Sequence, residues 1–259
     1  MRHVVMFSSG VGSWAAAKRV VATHGPADVV LLFTDTRIED EDNYRFLHEA
    51  AANVGVPLVQ LCEGRTPWEV YRDKRFLGNS RIDPCSEVLK RKPADAWLTA
   101  HCDPADTVCY VGIDWTEVHR YERLVTRKAA QGWTYEAPLC DAPYLTRRQV
   151  FAWLAREGLR RPRLYDLGFA HANCGGFCCK AGQGHFATLL QALPDRYAHH
   201  EAQEQALRAQ LGKDVSMLTD ADGPLTLETL RHRIEAEPTQ VDLFDIGGCG
   251  CFLDDGAAA

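Results

Sequence analysis

The sequence predicts an α/β fold built on an open, mostly parallel sheet with flanking helices. Two observations carry this. Short apolar runs rich in β-branched residues, at 4–7, 29–33, 56–61 and 107–111, alternate with stretches of helical period, the pattern of a parallel sheet with right-handed crossovers. The first run also breaks at once into a loop of small residues, Ser8-Ser9-Gly10-Val11-Gly12-Ser13, and then into an alanine-rich helical pattern.

That strand, loop and helix N-terminus suit a phosphate or pyrophosphate. Gly10 and Gly12 allow close backbone approach, Ser8, Ser9 and Ser13 offer hydroxyls, and the following helix turns its unpaired N–H groups and positive dipole end to the same point. The loop is neither a Walker A loop nor the three-glycine dinucleotide fingerprint. The second run ends in Thr34-Asp35-Thr36, which puts a carboxylate at the ligand-binding edge of the sheet. Asp35 can accept from a ribose hydroxyl or an adenine amine, hold a metal near phosphates, or cap the next helix. A helical interval over 39–54 carries apolar or small residues at Tyr44, Leu47, Ala51 and Val54 and is closed by Gly55.

Residues 64–93 show weak periodicity. Trp68, Tyr71 and Phe76 interleave with Arg65, Arg72, Lys74, Arg75 and Arg81, a pattern that fits base stacking but more often marks an apolar strip beneath a surface excursion. Pro84 suits a helix start, which places Cys85 in a first turn with Lys90, Arg91 and Lys92 beyond it. The fourth run leads into Gly112-Ile113-Asp114, with Glu117 and Arg120 three residues apart on one helical face. A helix over 147–157 follows Thr146 and reads as scaffold. Beyond it lie helices over 184–193, 195–211 and 227–235, the last capped by Thr226.

The composition, 46% apolar and 25% charged, is that of an ordinary globular chain and excludes a disordered one. No stretch has the length of a membrane span, and the start of the chain does not read as a signal peptide, so the expected location is cytoplasmic. The net charge is −6, yet residues 72–163 hold 17 Lys and Arg against 12 Asp and Glu. A basic middle in an acidic chain suits an anionic substrate.

Ten cysteines without a secretory segment point to metal binding or thiol chemistry. Cys62, Cys102, Cys109 and Cys140 are isolated and read as buried structural thiols. Cys174 and Cys178 flank Gly175-Gly176, a tight loop able to converge them, with Cys179 as a further thiolate, His171 as a possible nitrogen ligand and Cys85 as a fourth sulfur. A [4Fe–4S] cluster and a tetrahedral Zn2+ both fit these residue types. Cys249 and Cys251 either reach this cluster or form a separate pair. His185, His199 and His200 read as packing or solvent residues.

Four of these segments resemble the PP-loop ATP pyrophosphatase superfamily, in particular its phosphoadenylyl-sulfate (PAPS) reductase-like branch. Residues 8–13 are similar to its Ser-Gly-Gly-x-x-Ser loop, with Ser9 in place of the usual Gly, and 33–36 to its Phe-x-Asp-Thr motif. Cys85, Lys90 and Pro93 match Cys-x-x-x-x-Lys-x-x-Pro, although the Cys-Cys pair of cluster-carrying members is Pro84-Cys85 here. Gly112, Ile113, Glu117 and Arg120 match Gly-Ile-Arg-x-x-Glu-x-x-Arg, with Asp114 where Arg is expected.

The resemblance implies an adenine nucleotide alpha hydrolase-like domain over 1–180, followed by a helix-rich, cysteine-containing extension over 181–259. It implies ATP and Mg2+, with Ser8, Ser9, Gly10, Gly12, Ser13, Asp35, Gly112 and Glu117 around the nucleotide and Lys90, Arg120 and Cys85 as catalytic groups. Cys85, Cys174, Cys178 and Cys179 are the expected ligands of an iron–sulfur cluster or zinc, the cluster being favoured because the branch places one in this region. The reductase's terminal Glu-Cys-Gly-x-His nucleophile is absent from the sequence. The expected activity is therefore ATP-dependent adenylation of an acceptor with release of pyrophosphate, as in sulfur insertion into a nucleobase. The partners would be an anionic acceptor, such as tRNA or another nucleic acid, and a sulfur donor. The alternatives are sulfite release from an adenylyl sulfate and a non-enzymatic nucleotide-binding component of a nucleic-acid modification system.

Overall fold

The computed structural model describes residues 1–236. Parallel strands β1 (Arg2–Met6), β2 (Val29–Asp35), β3 (Leu58–Cys62), β4 (Thr107–Tyr110) and β5 (Thr134–Glu136) form one open sheet in the order β3-β2-β1-β4-β5. The chain direction across the sheet reverses between β1 and β4. The loops leaving the carboxyl ends of those two strands therefore part and open a crevice, the place where open α/β sheets take ligands.

Helices α1 (Val11–His24) and α2 (Glu41–Val54) form the first two crossovers. Between β3 and β4 come α3 (Pro67–Lys74), the short α4 (Pro84–Ser86), a π-helical turn over Glu87–Arg91, and α5 (Lys92–His101). Helix α6 (Val118–Ala129) precedes β5. Then follow α7 (Arg147–Arg156), α8 (Arg163–Asp166), α9 (Gln183–Ala192), α10 (Pro194–Leu211), an antiparallel hairpin of β6 (Leu218–Asp220) and β7 (Gly223–Leu225), and α11 (Leu227–Ala236).

The sheet is covered on both faces, which is why its strands read as continuous apolar runs rather than alternating ones. Val5, Phe7, Leu31 and Phe33 pack with Trp14 of α1, Phe46 of α2 and Leu154 of α7. Their neighbours Val4, Met6, Val30 and Leu32 point the other way, onto Leu98 of α5 and Leu124 of α6. Each fully buried side chain of this size contributes about 1.5–3 kcal/mol. A third core joins Trp68 and Tyr71 of α3 to Phe177, Phe186, Tyr197 and Leu227. The aromatic strip of residues 64–93 is thus largely interior, with Phe76 at its exposed end.

Two features escape the hydrophobic pattern. Thr66 and Glu69 form a reciprocal capping box that starts α3 inside the weakly periodic stretch, a signal present in the sequence. The β6–β7 hairpin has three-residue strands, too short for a periodicity to show. Among the described residues, no helix is long and apolar enough to cross a membrane.

Candidate nucleotide cleft and thiol pocket

The crevice between β1 and β4 is a cleft of about 540 Å3 lined by Ser8, Gly10, Gly12 and Ser13 on one side and Gly112, Asp114, Glu117 and Arg120 on the other. Gly10 stands at the N-cap of α1 without a side-chain cap, and the first turn carries no acidic residue. Ser13 Oγ donates to the Gly10 carbonyl at 2.8 Å, and the Val11 N–H makes a long 3.4 Å hydrogen bond to the Tyr165 hydroxyl. The positive end of a fourteen-residue helix therefore opens on the cleft with no carboxylate in its own first turn, an arrangement that attracts anions.

The two loops touch through glycine. A Cβ on Gly112 would lie 2.6 Å from the Ser13 nitrogen, and one on Gly12 would lie 2.9 Å from the Gly112 carbonyl oxygen. Gly10 is less constrained, since a Cβ there would meet nothing closer than 3.5 Å. The left-handed position of the loop is Ser9, at φ 56°, and its Oγ is fully buried with no hydrogen-bond partner.

Asp114 accepts from the Thr116 N–H at 2.8 Å, which fixes the turn into α6. Glu117 and Arg120 form an ion pair on the cleft wall. A second cation, Arg147 at the start of α7, was not marked out by the sequence. Its guanidinium lies 5.4 Å from the Phe151 ring centroid and 5.1 Å from that of Tyr165, and it donates to the carbonyls of Phe169 and Ala170 at 3.2 and 2.6 Å. Arg147 lines the cleft and makes no ion pair with a described carboxylate. The signal that could have found it is the Thr146–Gln149 capping box, which places Arg147 in the first turn of α7. Asp35 lies outside the cleft lining and accepts from the Tyr44 hydroxyl at 2.7 Å and the Arg37 N–H at 2.8 Å.

The cleft wall continues through His171 and Asn173 into Cys174, where a second, smaller cavity of about 20 Å3 begins. Cys85, Cys174, Cys178 and Cys179 all line it, together with Lys90 and Lys180. Lys90 stands here and not in the larger cleft, with Nζ 3.4 Å from Cys174 Sγ. Cys85 and Cys179 Sγ are 3.8 Å apart, and the Tyr71 hydroxyl donates to Cys85 Sγ at 3.0 Å. The hydrogen bond with Cys179 lowers the Cys85 thiol against its burial, with Tyr71 adding to the effect, and the same contact raises Cys179.

The loop holding Cys174 is unusual in its backbone. Cys174, Gly175 and Gly176 are successive left-handed residues at φ 55°, 62° and 83°. It is pressed onto the entry to α2: a Cβ on Gly175 would fall 2.3 Å from the Ile38 carbonyl oxygen, and the Cys174 N–H donates to Glu39 Oε2 at 2.6 Å. The Gly175 carbonyl accepts from Arg196, whose guanidinium also pairs with Asp40 at 3.0 Å. His185 Nε2 donates to the Gly176 carbonyl at 2.8 Å. His171 stacks on His185, with ring centroids 5.1 Å apart. His200 is interior packing, stacked on Phe177 and driven down to about 3 by burial, then by His199 and Arg196.

Among the described residues no group of three or more His, Cys, Asp or Glu is arranged to hold a metal ion. The donor types at the thiol pocket suit zinc or a cluster, and the cavity they line measures about 20 Å3. Mg2+ held through phosphates needs only one or two carboxylates; those lining the cleft are Asp114, which accepts from Thr116, and Glu117, which pairs with Arg120. Of the remaining cysteines, Cys109 is buried in the sheet and raised to about 12 by burial, whereas Cys62 is exposed at the end of β3 rather than buried. Cys249 and Cys251 lie outside the described residues.

No protein-family model matches the chain, and no curated protein matches it. Among solved structures it is similar to phosphoadenylyl-sulfate (PAPS) reductase from Candida auris in its phosphate complex, at 17% identity and a TM-score of 0.46, over 65% of this chain and 79% of that one. It is also similar to NH3-dependent NAD synthetase from Campylobacter jejuni in complex with nitrate, at 11% identity and a TM-score of 0.42, over 82% of each chain.

Proposed function

We propose that the protein is a PP-loop-type enzyme that binds an adenine nucleotide by its phosphate end and carries out group transfer there, beside a pocket of thiols. The observation carrying this reading is the uncapped N-terminus of α1 facing a cleft of about 540 Å3 at the reversal of the sheet, with Arg147 in the wall. The α1 N–H groups and Arg147 would hold the anionic end, and Gly12 and Gly112 would let it approach the backbone. Arg120, paired to Glu117, would orient rather than bind charge.

Two reactions suit such a site. In the first, an acceptor oxygen attacks the α-phosphorus of ATP, pyrophosphate leaves, and sulfur or nitrogen then displaces AMP, as in sulfur insertion into a nucleobase. In the second, a thiolate attacks the sulfur of an adenylyl sulfate, the nucleotide leaves, and a second thiol releases sulfite. The second has a specific observation in its favour, because Cys85 and Cys179 are in contact and would supply the two thiols it needs.

One experiment tests both. The reduced protein is incubated with ATP and nucleobase acceptors, or with adenylyl sulfate alone, and AMP, pyrophosphate and sulfite are quantified. Equal AMP and pyrophosphate would mark the first reaction, and sulfite formed without ATP would mark the second. Failure of ATP, PAPS and adenylyl sulfate to bind the folded protein in calorimetry would remove the whole reading.

A further inference from the structure

Independently of what occupies the cleft, we infer that Cys85 and Cys179 form a dithiol–disulfide pair that exchanges two electrons with small thiols and disulfides. Four features of the pocket point to this. The two sulfurs, 94 residues apart in sequence, are already in van der Waals contact at 3.8 Å, so bonding needs a closure of about 1.8 Å between them. The two are unequal in access: Cys85 is half-buried, while Cys179 is 3% exposed. Attack on an external disulfide would therefore begin at Cys85, the more exposed residue of the two, with Cys179 as the resolving partner in contact with it.

The sulfurs have polar neighbours. The Tyr71 hydroxyl donates to Cys85 Sγ at 3.0 Å, and the ammonium-bearing side chains of Lys90 and Lys180 line the same cavity. The cavity volume of about 20 Å3 gives the sulfurs room to move.

The chemistry balances with a small disulfide as oxidant. Cys85 thiolate attacks one sulfur of R–S–S–R, the S–S bond breaks, and one RS− leaves with its electron pair. Cys179 thiolate then attacks Cys85 Sγ, expels the second RS−, and closes the internal disulfide. Two protein thiols are oxidised, one external disulfide is reduced, and the two thiol protons end on two RSH. Excess RSH runs the sequence backwards.

The test uses the full chain, equilibrated with glutathione disulfide, alkylated and mapped by mass spectrometry. The expected product is one linkage, Cys85 to Cys179, lost on addition of dithiothreitol. In a Cys179→Ser variant, Cys85 should hold glutathione as a mixed disulfide that persists, and in Cys85→Ser the internal linkage should be lost with Cys179 left unglutathionylated. Mapping of the unmodified protein decides the matter even if a variant fails to fold. Three results would overturn the inference: no internal linkage, a linkage of Cys85 to Cys174 or Cys178 instead, or stoichiometric iron or zinc in the anaerobically purified protein that shields both cysteines from alkylation. None of these readouts depends on nucleotide binding.

Discussion

Asp40 and Arg196, 156 residues apart in sequence, meet in a 3.0 Å ion pair at the junction between α2 and the C-terminal helices. Asp40 is fully buried, caps α2 by accepting from the Asp42 N–H, and is also gripped by Arg163 at 2.8 Å. The same Arg196 holds the Gly175 carbonyl, so this carboxylate fixes the helix start and the thiol loop together.

Burial alone would push the Asp40 carboxyl up, but hydrogen bonds from Arg163, the Asp42 backbone and Arg196 outweigh it and hold it below the ordinary range. A carboxyl depressed in the folded state contributes stability that is complete above its unfolded value of about 3.9 and is lost as pH falls through the folded value. Denaturation between pH 7 and 3 should show this loss. Asp40→Asn should lower stability at pH 7 by about 2 kcal/mol, less than a fully enclosed pair, because Arg163 and Arg196 are partly solvated. A variant that keeps both the stability and the acid limb of the unmodified protein would contradict this account.

The loop contact across the cleft makes a paired prediction. Gly112→Ala forces a methyl to 2.6 Å from the Ser13 nitrogen, so the β1 loop must shift and ATP affinity should fall at least about tenfold. Gly10→Ala, whose methyl meets nothing inside 3.5 Å, should bind within about threefold of the unmodified protein. Calorimetric titration of both folded variants decides it, and a reversal of the order would show that the two loops do not form the binding edge.

Arg147 and Arg120 should differ in the same assay. Arg147→Met removes a cleft cation that no described carboxylate neutralises, at an expected cost of about 1.4–2.8 kcal/mol, or ten- to hundredfold in affinity for ATP. Arg120→Met removes a charge already cancelled by Glu117 and should cost less. A larger loss at Arg120 would transfer the anion-binding role to it.

Ser9→Gly should stabilise the protein. The substitution removes a left-handed non-glycine residue, worth about 1–2 kcal/mol, and a buried hydroxyl without a partner, against the added freedom of glycine in the unfolded chain. A net gain near 1 kcal/mol would raise the midpoint of thermal unfolding by about 2–4 °C. A fall in that midpoint would mean the hydroxyl has a structural role.

The parallel sheet was legible because apolar runs buried on both faces leave a plain trace, as residues 4–7 and 29–33 show. The convergence of Cys85 with Cys174, Cys178 and Cys179 on one pocket was not legible from local pattern, since it depends on the clamp of Gly175 against Ile38 and on the third core that joins α3 to α9 and α10. Lys90, expected beside the phosphates, lines the thiol pocket, and Arg147, read as part of a scaffold helix, lines the cleft, for a similar reason. The π-helical turn carries Lys90 toward the thiols, and the capping box aims Arg147 at the cleft, and both are matters of where a helix begins and how it is wound rather than of composition.

The rim of the cleft also carries its own optical probe. Of the six tryptophans in the chain, Trp115 is the one classed as exposed, at 41%, beside Asp114 and Thr116 of the cleft lining and with its indole N–H held by the Leu145 carbonyl at 3.0 Å. Excitation of the unlabelled protein should therefore give a red-shifted, iodide-quenchable emission component that Trp115→Phe reduces, leaving the smaller share of half-buried Trp97 and Trp153. Filling of the cleft by a nucleotide should shield that component while leaving the emission of buried Trp14 and Trp68 unchanged, so occupancy can be followed by light in a chain that carries no dye.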